Sequence, residues 1–303
     1  MLIISKLDEG SRLDVYLAEQ YSEYSRSYIQ KLIKNELIKV NNKLEKNRYI
    51  LKENDEIEII IPTITEKEIM PQNIPLDIIY EDNDIIVLNK PQGMVVHPAT
   101  SHYENTLVNA LLYYYKDQLS SINGKLRPGI VHRIDMDTSG LLMIAKNNDA
   151  HLFLAQQLKN RTVLRKYHAI VLGNIKEDEF TIDAPIARHP VQRLKMTVSE
   201  DGRRAITHIK VIERLDNYTY VEAKLETGRT HQIRVHLSHI NNPILGDEIY
   251  GGVTKKFNLD GQVLHAKTLG FIHPSTKEYM EFDSSLPENF KKVLRSLNNE
   301  IAN

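Results

Sequence analysis

The spacing of apolar residues divides the chain into two parts of different texture. In residues 1–61 the apolar positions suit short helices followed by short strands. Leu13, Leu17 and Tyr21 fall four apart, on one helix face. A second helix is predicted from Ser25 or Ser27 to about Asn35. Ile29, Leu32 and Ile33 form its apolar stripe, and Arg26, Lys31 and Lys34 take polar positions. Either serine can cap it, and Ser27 with Gln30 fits a capping box. Leu37 to Val40, an Asn41-Asn42 turn and a short return strand read as a hairpin. Asp55 to Ile61 alternates as a closing strand. Residues 62–75 carry Pro62, Pro71 and Pro75 among mixed charges, the composition of a linker.

Residues 76–303 read as one larger domain. Strands are predicted at Asp84–Leu88, Gly129–Ile134, Leu141–Ala145, Tyr167–Leu172, Thr207–Ile212, Tyr218–Leu225, Leu264–Phe271 and Glu278–Phe282. Helices are predicted at Thr106–Tyr115, Asp149–Lys159, Thr230–Ile240 and Glu288–Leu297. Several strands follow one another with no helix between them. That order fits an α+β fold with a mixed, largely antiparallel sheet, not a doubly wound parallel one. No Gly-rich phosphate loop follows a strand, which weighs against a nucleotide-dependent enzyme.

Composition narrows the chemistry. There is no cysteine, which excludes disulfides, a thiol nucleophile and a thiolate zinc site. The segment Met1 to Asp14 lacks a long apolar run behind a basic start, so no signal peptide is expected. No run of about 18 apolar residues is present, so no membrane span is expected. A cytoplasmic protein is the resulting expectation. The formal net charge is only -1, but the charge is uneven. Arg26 to Arg48 holds seven Lys/Arg against two Glu, and Arg188 to Arg214 holds seven against three acids. Such patches either attract phosphate or are simply solvated faces.

The densest polar segment is Gly129-Ile130-Val131-His132-Arg133-Ile134-Asp135-Met136-Asp137-Thr138-Ser139-Gly140. It lies between two apolar runs and reads as strand, polar turn, strand. Local chemistry alone fits a plain turn, which also favours Asp, Thr, Ser and Gly. It fits equally a cluster at the rim of a sheet, with the cation of Arg133 keeping the Asp135 carboxylate charged.

His132-Arg133-Ile134-Asp135-x-x-Thr138-Ser139-Gly140 closely resembles the signature of the RluA/RluD family of pseudouridine synthases. Three more blocks resemble that family in order: Leu88-Asn89-Lys90-Pro91-x-Gly93-Met94-Val95-Val96-His97-Pro98, Arg165-Lys166-Tyr167-His168-Ala169-Ile170-Val171, and Gly228-Arg229-Thr230-His231-Gln232-Ile233-Arg234-Val235-His236-Leu237, continued by Pro243-Ile244-Leu245-Gly246-Asp247. Ile134 stands where Leu is usual, a conservative departure. Within residues 12–61, Arg12-Leu13-Asp14, Ser25-Arg26-Ser27, Val40-Asn41 and Asp55-x-Ile57 resemble the S-four type RNA-binding module.

The resemblance implies three parts: an RNA-binding module over 1–61, a linker over 62–75 and a catalytic domain of pseudouridine synthase fold over 76–303. It implies isomerisation of uridine in structured RNA, above all large-subunit ribosomal RNA in ribosome processing, with no cofactor, no metal and no small-molecule partner. By the same resemblance Asp135 is the nucleophile, Arg234 its cationic partner and Tyr167 the aromatic group for the base. Arg133, Lys90 and His132, with Arg26, Lys31 and Lys34 of the module, are the RNA-binding candidates. A monomer is expected, since no large uncovered apolar stripe is evident. His231, His236 and His239 invite a metal, but Arg229 and Arg234 beside them would repel one. Two other readings stay open on sequence: a non-catalytic RNA-binding protein, and a metal-dependent nuclease built on Asp135 and Asp137.

Overall fold

The computed structural model describes residues 2–21, 24–61, 69–98, 102–254 and 256–301. The chain forms two compact units, Met1–Glu68 and Ile69–Asn303.

In the first unit, strand β1 (Leu2–Ile3) is followed by helices α1 (Leu13–Gln20) and α2 (Arg26–Lys34), then β2 (Ile38–Val40) and β3 (Glu56–Ile59). The strands form an antiparallel sheet in the order β1-β3-β2. Ile29, Leu32 and Ile33 are buried against Leu13, Tyr16 and Leu17, as their spacing requires. Ser25, not Ser27, caps α2, accepting from the Tyr28 amide. The expected box fails because Gln30 turns away and donates to Asp14 Oδ2 at 2.6 Å. The expected return strand after Asn41-Asn42 is a single bridge, Val40 to Lys43, because β2 pairs with β3.

Asp14 ties the unit together. Its side chain is fully buried and also accepts from Arg12 and Arg26. Burial raises its pKa, but the hydrogen bonds from Gln30, Arg12 and Arg26 outweigh that and leave it below the usual carboxylate range.

The second unit contains β4 (Asp77–Glu81), β5 (Ile85–Lys90), α3 (Leu107–Tyr115), β6 (Ser139–Ala145), α4 (Asn148–Asn160), β7 (Leu164–Leu172), β8 (Glu179–Asp183), β9 (Ile186–Arg188), β10 (Met196–Val198), β11 (Ile206–Leu215), β12 (Tyr218–Leu225), α5 (Gln232–His239), β13 (Leu264–Ile272), β14 (Tyr279–Asp283) and α6 (Glu288–Ile301). One sheet runs β4-β5-β6-β13-β7-β12-β11-β8, with β14 also on β13. Among the described strands only the β6–β13 pairing is parallel, and β9 and β10 form a separate hairpin. The unit is α+β with a largely antiparallel sheet, as expected. Among the described residues no helix is long and apolar enough to cross a membrane.

Strand β6 is buried along its whole length, which explains its unbroken apolar sequence. Its side chains alternate between two cores. Leu142 and Ile144 pack with Leu107, Val108 and Leu111 of α3 and with Ile233 and Leu237 of α5. Leu141, Met143 and Ala145 pack with Ala150 and Leu154 of α4. At the start of β6, Gly140 lies opposite Ala266 with φ +115, where a Cβ would fall 2.3 Å from the Ala266 carbonyl oxygen. No side chain fits there.

The strand expected at Gly129–Ile134 does not form. Strand β5 pairs along one edge of β6, and β13 takes the other at Ser139 and Gly140. Only the far end remains, where Ile130 bridges Ile144 and Gly129 accepts from the Ala145 amide. Residues 131–138 therefore approach β6 as a loop.

Part of the expected linker also differs. Residues 62–68 lie outside the described residues. Residues 70 and 72 are fastened to α3: Asn109 donates to the Met70 carbonyl, and the Gln72 amide donates to that of Asn109.

Replacing Asp14 by Ala should destabilise the first unit by about 2 kcal/mol, the cost of losing hydrogen bonds to a buried charge. Because the folded-state pKa is depressed, this stabilisation is complete above the ordinary carboxylate range and is lost as pH falls below it. Amide exchange of Ile29–Ile33 against pH checks both statements.

Candidate active site

The loop that ends at β6 opens onto a cavity of about 530 Å³. Its walls include His132, Arg133 and Asp135 of the loop, Arg165 and Tyr167 of β7, Gly228 before α5, and His231 and Arg234. A second cavity of about 260 Å³, bordered by His97, Asp137 and Ile249, reaches Asp135 from another side.

Asp135 is partly exposed and meets Arg234 Nη1 through Oδ2 at 3.0 Å. Arg234 gives its other two groups to Asp247, Nε to Oδ2 at 2.7 Å and Nη2 to Oδ1 at 3.0 Å. Asp247 is fully buried and also accepts from the amides of Ile249 and Tyr250. Burial alone would lower the Arg234 pKa; Asp247 and Asp135 together raise it above its ordinary value. Tyr250 lies against the guanidinium, 5.1 Å from its centre. The Tyr250 hydroxyl accepts from the Met196 amide and stands 2.9 Å from His231 Nδ1. The other ring nitrogen, His231 Nε2, faces Asp135 Oδ1, 3.9 Å away.

The helix carrying Arg234 starts later than expected. Thr230 does not cap it; His231 does the turning, in the left-handed region at φ 55. Gln232 replaces a cap by accepting from the Arg229 amide and Thr227 while donating to the Ile206 carbonyl and Thr207. These contacts anchor α5 to β11, so Arg234 projects from a fixed frame.

Tyr167 lines the same cavity from β7. Burial raises its pKa; Arg165 opposes that and Asp135 adds to it, so the phenol is neutral at ordinary pH. The structure thus brings Asp135, Tyr167 and Arg234 to one cavity. Arg133 is exposed at the border of both cavities.

Two candidates are corrected. Lys90 is fully buried, and its ammonium donates to the carbonyls of Pro91, Met94 and Met136, each at 2.8 Å. No proton is left for a phosphate; the side chain instead fastens the loop next to Asp135. His132 accepts from the Met143 amide through Nε2. Burial, aided by Arg165, lowers its pKa to about 3, so it is a neutral ring held by β6 and not a cation for RNA. In the first unit Lys31 and Lys34 are exposed on α2, whereas Arg26 is half engaged with Asp14.

The histidines do not gather for a metal. His236 is buried between Thr207 Oγ1 and the Ala184 carbonyl. Asp82, Asp84 and His273 do lie together, but as a hydrogen-bonded turn: Asp82 accepts from the Asp84 and Ile85 amides, Tyr80 and His273.

Residues 84–239 match the sequence model of the RNA pseudouridylate synthase family, and residues 11–57 match that of the S4 domain. The chain belongs to the RNA pseudouridylate synthase family. It is an enzyme, an isomerase of uridine in RNA. A Bacillus subtilis (strain 168) synthase, described as the uncharacterized RNA pseudouridine synthase YlyB, is 48% identical over 97% of this chain and 96% of its own. The ribosomal large subunit pseudouridine synthase D of Zymomonas mobilis is 43% identical over 95% of this chain and 94% of its own. Among solved structures, human RNA Pseudouridylate Synthase Domain Containing 1 is 26% identical, with a TM-score of 0.59, over 75% of this chain and 96% of that one.

Sequence reasoning assigned no role to Asp247, Tyr250 or Arg165, and took His231 only as a metal candidate that Arg229 and Arg234 disfavour. Asp247 had a signal: a buried arginine needs a permanent counter-ion, and the Gly246-Asp247 pair lies just beyond the helix. Replacing Asp247 by Asn should release Arg234, destabilise the synthase by roughly 3 kcal/mol and slow turnover on the order of 100-fold through misplacement of the carboxylate pair. Thermal melting and single-turnover pseudouridine formation check the two effects separately.

Proposed function

We propose that the enzyme acts on large-subunit ribosomal RNA and that Asp135 is its covalent catalyst. Two lines support this. Relatives more than 40% identical over most of this chain carry the name ribosomal large subunit pseudouridine synthase D. The single observation that carries the catalytic role is the Asp135–Arg234 ion pair at 3.0 Å, opening onto the same cavity as Tyr167.

The reaction breaks the bond between uracil N1 and ribose C1′, turns the base and rejoins it through C5. It consumes no cosubstrate. A carboxylate suits the covalent step, by adding to C6 of the base or by acting at C1′. Arg234 holds the carboxylate in place and supplies its counter-charge. Tyr167, a neutral phenol, stacks on the base, a contact worth about 1–3 kcal/mol. A paired uridine must first leave its stack, at a cost of a few kcal/mol. Arg133, exposed at the mouth, contacts the RNA beside the vacated position. The S4 unit adds affinity through Lys31, Lys34 and neighbouring cations. The enzyme works in the cytoplasm as a monomer, without metal or cofactor.

Asp135→Asn should bind target RNA about as tightly as wild type and form no pseudouridine; near-normal turnover would refute the assignment. Mapping pseudouridine in ribosomal RNA from cells with and without the gene tests the substrate. Loss of one or more large-subunit sites is expected, and an unchanged map would exclude that RNA.

A further inference from the structure

The proposed mechanism leaves one buried cation in the cavity unexplained. Arg165 lies on β7 two residues before Tyr167, so both side chains leave the same face of the strand. The residue is 8% exposed. Its Nε has no hydrogen-bond partner. Among the described residues no carboxylate pairs with it, and Tyr167 beside it is a neutral phenol that brings no counter-charge. This contrasts with Arg234, which has two carboxylates. Space has nevertheless been kept for it. Gly228 borders the cavity, and a Cβ there would stand 2.7 Å from Arg165 Nη1.

A buried cation without a partner destabilises the fold. Such a group is retained where a ligand brings the opposite charge. Backbone phosphates are one source, but exposed cations, Lys159 and Arg161, already border the cavity. The part of a flipped nucleotide that goes deepest is its base. The group beside Tyr167 therefore meets the uracil ring.

We propose that Arg165 is a further catalytic residue, a guanidinium that hydrogen-bonds a uracil carbonyl oxygen and takes up the negative charge that develops there. This rests on the reading of Asp135 and Tyr167 given above. The charge arises by either route. If C1′–N1 breaks first, its electron pair stays on the ring, spread over N1, O2 and O4, while Asp135 relieves the electron deficit at C1′. If Asp135 adds to C6, the C5–C6 π pair moves toward O4. On the C1′ route the C5–C1′ bond then forms as the carboxylate leaves C1′; on the C6 route C5–C1′ forms as C1′–N1 breaks, and the carboxylate leaves C6 as the C5 proton is lost. In both cases the C5 proton leaves, N1 becomes protonated, Asp135 is regenerated and the ring is neutral again. Nothing is oxidised or reduced. A pre-formed donor with no resident counter-ion meets this charge without first giving up another partner.

The test compares Arg165→Met, Arg165→Lys and Asp135→Asn in the full chain on a large-subunit ribosomal RNA transcript that the wild-type enzyme modifies. Arg165→Met should lower the single-turnover rate at saturating RNA by about 100-fold or more. Its Kd and the salt dependence of Kd should stay near wild type, and its melting temperature should hold or rise, because an unpaired buried charge has been removed. Arg165→Lys should keep part of the rate. A normal rate for Arg165→Met beside an inactive Asp135→Asn overturns this proposal alone; an active Asp135→Asn overturns the reading beneath it. Weaker binding with a salt slope smaller by about 1 and a normal saturated rate would make Arg165 a phosphate contact. A lower melting temperature, with activity recovering fully at a temperature where the variant is folded, would make its role structural.

Discussion

One guanidinium answers two carboxylates, and the site's geometry follows from how it divides its donors. The guanidinium is planar, with its N–H groups in a rigid fork. Asp247 takes Nε and Nη2 as a bidentate pair and is itself held by two backbone amides. Nη1 is left to Asp135, which accepts from it at 3.0 Å. A lysine could not perform this division, since a point charge on a flexible stem does not tell one carboxylate from the other. The buried pair sets the orientation, and the half-open pair remains available to substrate.

The loop bearing Asp135 needs such anchoring because it has no ladder of its own. Strand β5 and strand β13 occupy the edges of β6 next to it. Side chains replace the missing backbone pairing. Lys90 takes the Met136 carbonyl, and Thr138 Oγ1 accepts from Gln262. The Thr138 amide closes a turn on the Asp135 carbonyl. A polar segment at the end of a buried strand is thus rigid without being regular.

The regular elements were legible in the sequence because their patterns are local. β12 spans Tyr218–Leu225 and α3 ends at Tyr115, where the alternation and the apolar spacing place them. Five strands, β1, β4 and β8 to β10, went unread; they are short or half exposed and lack a strong period. The candidate site was legible through its motifs, which name Asp135, Tyr167 and Arg234, three residues that border one cavity. What could not be read was burial. Lys90 and Arg165 are both cations in polar-looking blocks, yet one is sealed by three carbonyls and the other faces a cavity without a partner. Neither state leaves a trace in spacing: Lys90 is sealed by the folded-back carbonyls of Pro91 and Met94 and by that of Met136, 46 positions away, and the cavity at Arg165 is walled by residues from several parts of the chain.

The parallel contact between β6 and β13 carries a consequence for how the molecule comes into being. Ser139 and His265, joined there by a hydrogen bond, are 126 positions apart, and Asp135 is 99 positions from Arg234. Loops of that size close late and slowly, after the nearby hairpins have formed. During synthesis the S4 unit emerges first and can fold as its own small core, while the catalytic half waits for its final third. A nascent chain therefore acquires its RNA-binding part well before it acquires any chemistry.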